Sequence, residues 1–263
     1  MNILDEIIAV KRKEVAERKE QTPVAVLKKS AYYRRSCYSL AASLLKEGST
    51  GIIAEFKKRS PSKGMINSNA DLQKIITGYC EYGAAGISVL TDEQFFGGSL
   101  ADLEAAADLV ECPLLRKDFI IDEYQVEEAK AAGADVILLI AAVLTAQEVK
   151  KLSAYAVNLG MEVLLELHAE SELDRIGGDT ALIGINNRNL QTFEVNIQHS
   201  LELSGKIPAG KIKIAESGID DPATIAILHK NGFSGFLIGE YFMKQADPAA
   251  AFNNFVRQLK QQP

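Results

Sequence analysis

From about residue 50 onward the chain alternates between two textures of apolar placement. Short runs rich in aliphatic and β-branched residues begin near Ile52, Gly86, Pro113, Asp135, Glu162, Ala181, Lys211 and Gly235. Between them, apolar residues fall at helical spacing, as in Leu72, Ile75, Ile76 and Tyr79, or Val149, Leu152 and Ala156. Gly83, Gly133 and Gly232 sit where the helical stretches stop, a position that favours a left-handed residue. The runs recur about every 26 residues, the size of one strand–helix unit.

Eight such units predict an α/β fold, a single closed (β/α)8 barrel of the TIM type, over residues 51–263. A doubly wound open sheet is the alternative. It usually has fewer strands, and no glycine fingerprint follows the first run. Residues 1–50 stand apart. Ile3, Leu4, Ile7 and Ile8 share one apolar face, and the charged run from Lys11 to Glu20 reads as a solvated face. Thr22-Pro23 then opens a second helix that runs through Lys29. This segment is expected to be an N-terminal helical extension packed on the barrel, forming one catalytic domain with it.

Alternate side chains of a strand point to opposite faces, so parity sorts the polar residues. Ile53, Glu55 and Lys57 share a face in the first strand, as do Leu115, Lys117 and Phe119 in the third. Leu164, Glu166 and His168 align in the fifth, Gly184, Asn186 and Arg188 in the sixth, and Ile212, Ile214 and Glu216 in the seventh. Each set is apolar early and polar late. If this parity faces the barrel axis, Lys57, Lys117, Arg188, Glu55, Glu166 and Glu216 converge on one mouth. Any one of them alone reads more naturally as a strand-end charge in solvent. Together they are costly unless paired and used, and close Lys–Glu pairs shift each other's pKa values as acid–base catalysis requires.

A phosphate site is expected at the same mouth. Ala215-Glu216-Ser217-Gly218-Ile219 follows the seventh strand, and Leu237-Ile238-Gly239-Glu240 ends the eighth. Barrels of this kind often hold phosphate with these two loops, and Gly218 and Gly239 let the backbone come close to an anion. The bland reading is two glycines making tight turns. Phe95-Phe96, after the second strand, is either core or an aromatic placed over the mouth.

Composition narrows the classes. The chain has 263 residues, of which 47% are hydrophobic and 24% charged, so it can bury a sizeable core without staples. A net charge of −6 speaks against a general nucleic-acid binder. The longest apolar run, Val136 to Leu144, is too short for a membrane span, and acids stand at the N-terminus where a signal peptide carries bases. Cys37, Cys80 and Cys112 lack metal-type spacing and suggest reduced thiols in a cytoplasmic protein. His168, His199 and His229 are scattered without ligand spacing. Neither a metal nor an organic cofactor is expected.

Ile53-Ala54-Glu55-Phe56-Lys57-Lys58-Arg59-Ser60-Pro61-Ser62 resembles the first-strand signature of the indole-3-glycerol phosphate synthase family. The resemblance continues in order through Phe96-Gly97-Gly98-Ser99, Leu114-Leu115-Arg116-Lys117-Asp118-Phe119 and Leu164-Leu165-Glu166-Leu167-His168. It ends with Gly184-Ile185-Asn186-Asn187-Arg188-Asn189-Leu190, Ala215-Glu216-Ser217-Gly218-Ile219 and Leu237-Ile238-Gly239-Glu240. Tyr241 is a departure, since the family often has a serine there, and it leaves open whether a side-chain hydroxyl holds the phosphate.

The resemblance implies a lyase of tryptophan biosynthesis. Its substrate is a phosphorylated small molecule, 1-(2-carboxyphenylamino)-1-deoxyribulose 5-phosphate, closed to an indole with loss of carbon dioxide and water. It also implies roles. Lys117 is the acid for ring closure and Glu166 the base in dehydration. Lys57 contacts the anthranilate carboxylate and is a candidate second acid, with Glu55 orienting it. Asn186 and Arg188 position substrate groups, Ser60 lies in the binding set, and Glu216 bonds the sugar-chain hydroxyls. Phe96 and Phe119 sandwich the anthranilate ring, while Ser217, Gly218 and Gly239 hold the phosphate. No nucleic acid or membrane partner is implied, and there is room for transient contact with other enzymes of the pathway.

Three other readings stay open on the residues: another phosphate-binding barrel such as phosphoribosylanthranilate isomerase, a non-catalytic sugar-phosphate sensor, and a metalloenzyme. An isomerase needs no contact to an anthranilate carboxylate. Retention of Lys57, Lys117 and Glu166 together argues against a sensor, and the missing ligand pattern against a metalloenzyme.

Overall fold

The computed structural model describes residues 3–189 and 194–261. Eight parallel strands close into a barrel. They are β1 (Ile52–Phe56), β2 (Gly86–Leu90), β3 (Leu114–Lys117), β4 (Val136–Ile140), β5 (Glu162–Leu167), β6 (Leu182–Asn186), β7 (Ile212–Glu216) and β8 (Phe233–Ile238). Each pairs with its sequence neighbours, and β8 closes on β1 with Leu237 opposite Ile53. The register brings polar strand ends level: Asn186 lies opposite Glu216, and Gly184 opposite Glu166. The eighth strand starts at Phe233, earlier than Gly235, with a register shift between them. Gly235 lacks a Cβ where one would lie 2.6 Å from Ile214 Cγ1.

Helices Leu72–Glu81, Leu100–Leu109, Glu123–Ala131, Ala146–Asn158, Ile197–Ser204, Pro222–Lys230 and Pro248–Lys260 wrap the outside. Each begins at a Ser, Thr, Asp or Asn whose side chain accepts a backbone N–H of the first turn. The expected helix after the fifth strand is only a 3-10 turn, Glu170–Arg175. Its leading residue is Ala169, which has no capping oxygen, and Glu172 instead accepts from the His168 and Ala169 amides.

Two apolar layers follow from strand parity. Ile53, Leu115, Leu138, Leu164, Leu182, Ile214 and Leu237 fill the barrel axis. Ile52, Ala54, Phe56, Ile87, Val89 and Leu139 face the helices. The inward parity is therefore the one that carries Glu55, Lys117, Glu166 and Glu216.

Residues before β1 clasp both ends of the barrel. Helix α1 (Ile3–Gln21) lies over the mouth where the strands end, and Ile3, Leu4 and Ile7 line the cavity there. The second helix is shorter than expected, Val24–Leu27, and a 3-10 turn, Ala31–Arg34, follows it. Helix Leu40–Leu45 closes the opposite end. Ser39 Oγ and Ala41 N donate to Glu162 at the start of β5, at 2.5 and 3.0 Å. Gly86 leaves room for Leu40, whose Cδ1 would lie 2.7 Å from an added Cβ.

This wrapping explains a helix whose sequence looks solvent-facing. Gln125, Glu127, Glu128 and Lys130 of helix Glu123–Ala131 are all buried. Buried polar groups need partners, and the extension supplies several. The Tyr33 hydroxyl donates to Glu127 at 2.5 Å, and Lys130 donates to the Arg35 carbonyl at 2.8 Å.

The solvated face expected from Lys11 to Glu20 is overturned at its first residue. Lys11 is fully buried, because Ile7, Lys11 and Val15 fall four residues apart and form the face of α1 that meets the barrel. Burial of its ammonium is compensated by Asp92 and Asp118, at 2.9 and 3.1 Å.

Candidate active site

A cavity of about 530 Å³ opens at the mouth of the barrel, within the range typical of small-molecule sites. Glu55, Lys57, Ser60, Phe96, Lys117, Phe119, Glu166, Asn186, Arg188, Glu216, Ser217, Gly218 and Gly239 all line it. Every residue expected in the catalytic or binding set thus faces one space, whereas His168, which shares the parity of Glu166, is not among its lining. Leu190 of the sixth-strand motif lies outside the described residues.

Lys117, at the end of β3, occupies the centre. Its Nζ donates to Glu166 Oε2 at 3.0 Å and lies 3.6 Å from Glu216 Oε2. Burial alone would discharge an ammonium, but the carboxylates of Glu166, Glu216 and Glu55 outweigh it and hold the pKa above the ordinary lysine value. Lys117 is therefore a stored proton.

The two central glutamates diverge. Glu166 accepts from Lys117 and from Asn186 Nδ2 at 3.0 Å, and His168 Nε2 lies 3.0 Å from its Oε1. Burial raises its pKa, but Lys117 and His168 more than reverse this and hold it well below the usual carboxylate range. Glu216 is pushed well above that range by burial and by the neighbouring Glu166 charge. Two carboxyls so placed cannot both ionise easily, and the one with more donors takes the charge. Glu216 Oε1 is buried with no hydrogen-bond donor among the described residues. A buried acceptor facing a cavity calls for a polar ligand group.

Two glycines make room for these side chains. A Cβ at Gly184 would lie 2.1 Å from Glu216 Oε1, and one at Gly239 would lie 2.4 Å from Glu55 Oε1. Gly239 thus has a packing reason beyond anion approach. Lys57 donates to Glu55 at 2.5 Å, and both side chains line the cavity.

One wall is aromatic. Phe96, half-buried, and Phe119, buried, lie with ring centroids 6.0 Å apart, while Phe95 packs in the core. Sequence allowed core or mouth for the pair Phe95-Phe96, and each residue takes one of the two. Across the cavity, Ser217 and Gly218 both have positive φ, at 70° and 72°. For Ser217 this costs on the order of 1 kcal/mol, and such strain clusters at functional sites. Asn187 holds the turn by donating from Nδ2 to the Ser217 carbonyl at 2.9 Å. Arg188 Nη2 pairs with Glu240 Oε2 at 3.2 Å.

Sequence reasoning missed Asn187, the cavity-lining residues of α1 and the closeness of His168 to Glu166. Parity had put His168 beside Glu166, so a signal existed.

A sequence model of the indole-3-glycerol phosphate synthase family matches residues 4–255. An indole-3-glycerol phosphate synthase of Bacteroides thetaiotaomicron is 46% identical over 259 residues, covering 98% of this chain and 99% of its own. That of Polaromonas sp. is also 46% identical, over 254 residues, covering 95% of this chain and 96% of its own. Among solved structures, 3-hexulose-6-phosphate synthase of Salmonella typhimurium superposes with a TM-score of 0.62 at 12% identity, over 80% of this chain and 98% of that one. A mutant tryptophan synthase α-subunit of Pyrococcus furiosus gives 0.60 at 13%, with the same coverage. At such identities these two attest only the barrel fold.

Proposed function

The chain belongs to the indole-3-glycerol phosphate synthase family, carboxy-lyases of tryptophan biosynthesis, and we propose that its barrel mouth carries out the family's ring closure with the residues named above. The substrate is 1-(2-carboxyphenylamino)-1-deoxyribulose 5-phosphate. The observation that carries this reading is a buried Lys117 whose ammonium lies 3.0 Å from Glu166 and 3.6 Å from Glu216, with rings on one side and a strained phosphate-type turn on the other.

In the first step an aromatic carbon attacks the ketone, and the oxygen becomes an alkoxide. Lys117 donates its proton there. An alkoxide is far more basic than an amine, so an elevated lysine pKa still permits transfer. Lys57, oriented by Glu55, neutralises the substrate carboxylate and serves as second acid. Loss of carbon dioxide restores the arene. In dehydration the second acid, Lys57, gives a proton to the departing hydroxyl, which leaves as water, while Glu166, kept a carboxylate by Lys117, His168 and Asn186, takes the proton lost from the new ring. Glu216 bonds the sugar-chain hydroxyls through its unsatisfied oxygen. Asn186 and Arg188 position the substrate, and Ser60 closes over it from the loop after β1. Phe96 and Phe119 sandwich the arene, and the amides around Ser217, Gly218 and Gly239 hold the phosphate.

No helix among the described residues is long and apolar enough to cross a membrane. A cytoplasmic location and transient contact with other pathway enzymes belong to the same proposal.

The test is indole fluorescence with purified protein and this substrate, run with and without a chelator. Among the described residues no three His, Cys, Asp or Glu side chains group as metal ligands. Turnover is expected to be the same in both arms. Activity abolished by the chelator and restored by a divalent ion would overturn the cofactor-free scheme.

Gly218→Asp probes the phosphate end. It puts a negative charge and a side chain into the turn, in a loop rather than the core, where exposed Val195 is the nearest obstacle. Substrate affinity should drop at least about tenfold, from like-charge repulsion and from the strain of a non-glycine residue at a φ of 72°, while the fold survives. Unchanged affinity for a phosphate-bearing product analogue would place the anion elsewhere.

A further inference from the structure

The buried contact between α1 and the barrel reaches the aromatic wall. Lys11 Nζ lies 2.9 Å from Asp92 Oδ2 and 3.1 Å from Asp118 Oδ1, and donates to Glu14 at 2.7 Å. Each aspartate in turn fixes the backbone of one cavity ring. Asp92 Oδ1 accepts from the amides of Phe95 and Phe96 at 2.7 and 3.2 Å. Asp118 Oδ1 accepts from the Phe119 amide at 2.8 Å, and its other oxygen accepts from Thr91 and Arg116 at 2.6 and 3.1 Å. One ammonium thus ties together the two carboxylates that anchor Phe96 and Phe119.

The chemistry of the cluster supports a fixed geometry. Lys11, Asp92 and Asp118 are all out of solvent, so none can relax into water. Burial opposes a charge on Lys11, but Asp118 and Asp92 overcome it and hold its pKa above the ordinary value. Without the ammonium, two buried carboxylates would face each other with no shared counter-charge, and like charges at close range separate. Their separation would carry Phe96 and Phe119 apart. Asp118 also follows Lys117 directly, so the shift would reach the central acid.

We propose that Lys11 is a positioning residue, which through Asp92 and Asp118 sets the gap between Phe96 and Phe119 and so holds the substrate's arene in register with Lys117. This rests on the reading that the two rings sandwich the arene. It gives the N-terminal helix a defined task in the reaction beyond covering the mouth.

The test uses two inhibitors that report on opposite ends of the cavity, anthranilate for the arene end and inorganic phosphate for the other. Lys11→Met keeps the length of the stem and removes the charge. A misplaced ring pair should raise the inhibition constant for anthranilate and the KM for substrate about tenfold, leaving the constant for phosphate within about twofold. Adding Asp92→Asn to Lys11→Met removes one orphaned charge while keeping the acceptor oxygen, and should recover part of the loss. If Lys11→Met does not fold, Lys11→Arg carries the same split, because its forked head keeps the charge but moves both carboxylates. Equal changes at both ends, or none at either, would overturn the proposal by reducing Lys11 to a stability contact. Phe96→Ala and Phe119→Ala separate the two layers of the argument. If they leave anthranilate binding unchanged, the sandwich reading fails. If they weaken it while the folded Lys11 variant does not, only the Lys11 inference fails.

Discussion

Lys117→Met is expected to lower kcat by at least about a hundredfold, the smaller end of what general acid catalysis contributes, with more lost where the charge also orients substrate. Methionine retains much of the stem and removes the proton. Ring closure must then form an alkoxide with no donor in place. The substitution also strips Glu166 and Glu216 of the cation between them, at 3.0 and 3.6 Å. Rapid quench with mass analysis should find carbon dioxide release and indole appearance suppressed together, because both follow ring closure. Carbon dioxide release near the wild-type rate would remove Lys117 from the role. Lys57, which shares the inward parity of β1 with Glu55, would then be the better candidate.

Glu166→Gln separates the second half of the reaction from the first. Glutamine keeps size and can still accept from Lys117, but it takes no proton. Ring closure should proceed, and dehydration should slow by about a hundredfold. Indole appearance then lags carbon dioxide release, and an intermediate already lacking the carboxylate accumulates. Equal slowing of both would place Glu166 before decarboxylation.

Much of this site was legible because strand parity is a strict rule. Ile53 and Glu55, or Leu164 and Glu166, must share a face whatever the tertiary structure, and eight repeats favoured a closed barrel, which puts those faces inside, over a doubly wound open sheet. The family resemblance added roles that parity alone cannot assign. Helix patterns were less informative where the extension intervened. Helix Glu123–Ala131 reads as polar surface, yet Gln125, Glu127, Glu128 and Lys130 are buried under residues from the first forty. Lys11 failed for the same reason. A lysine in a charged run looks solvated, and only the three-dimensional return of α1 across the mouth brings Asp92 and Asp118 to it. The opposite pKa shifts of Glu166 and Glu216 were equally out of reach, because they depend on which carboxyl lies nearer to Lys117 and Asn186. The short turn after β5 was missed because periodicity marks apolar positions but not a capping residue, and Ala169 supplies none.

In the proposed reaction one mouth closes the ring, expels carbon dioxide and then water. Substrate labelled at its carboxylate carbon tests this most directly, with labelled gas and indole fluorescence followed together on the purified protein. One labelled carbon dioxide is expected for each indole formed. A product that keeps the label, as an isomerase would give, or substrate that binds and stays unchanged, would contradict it.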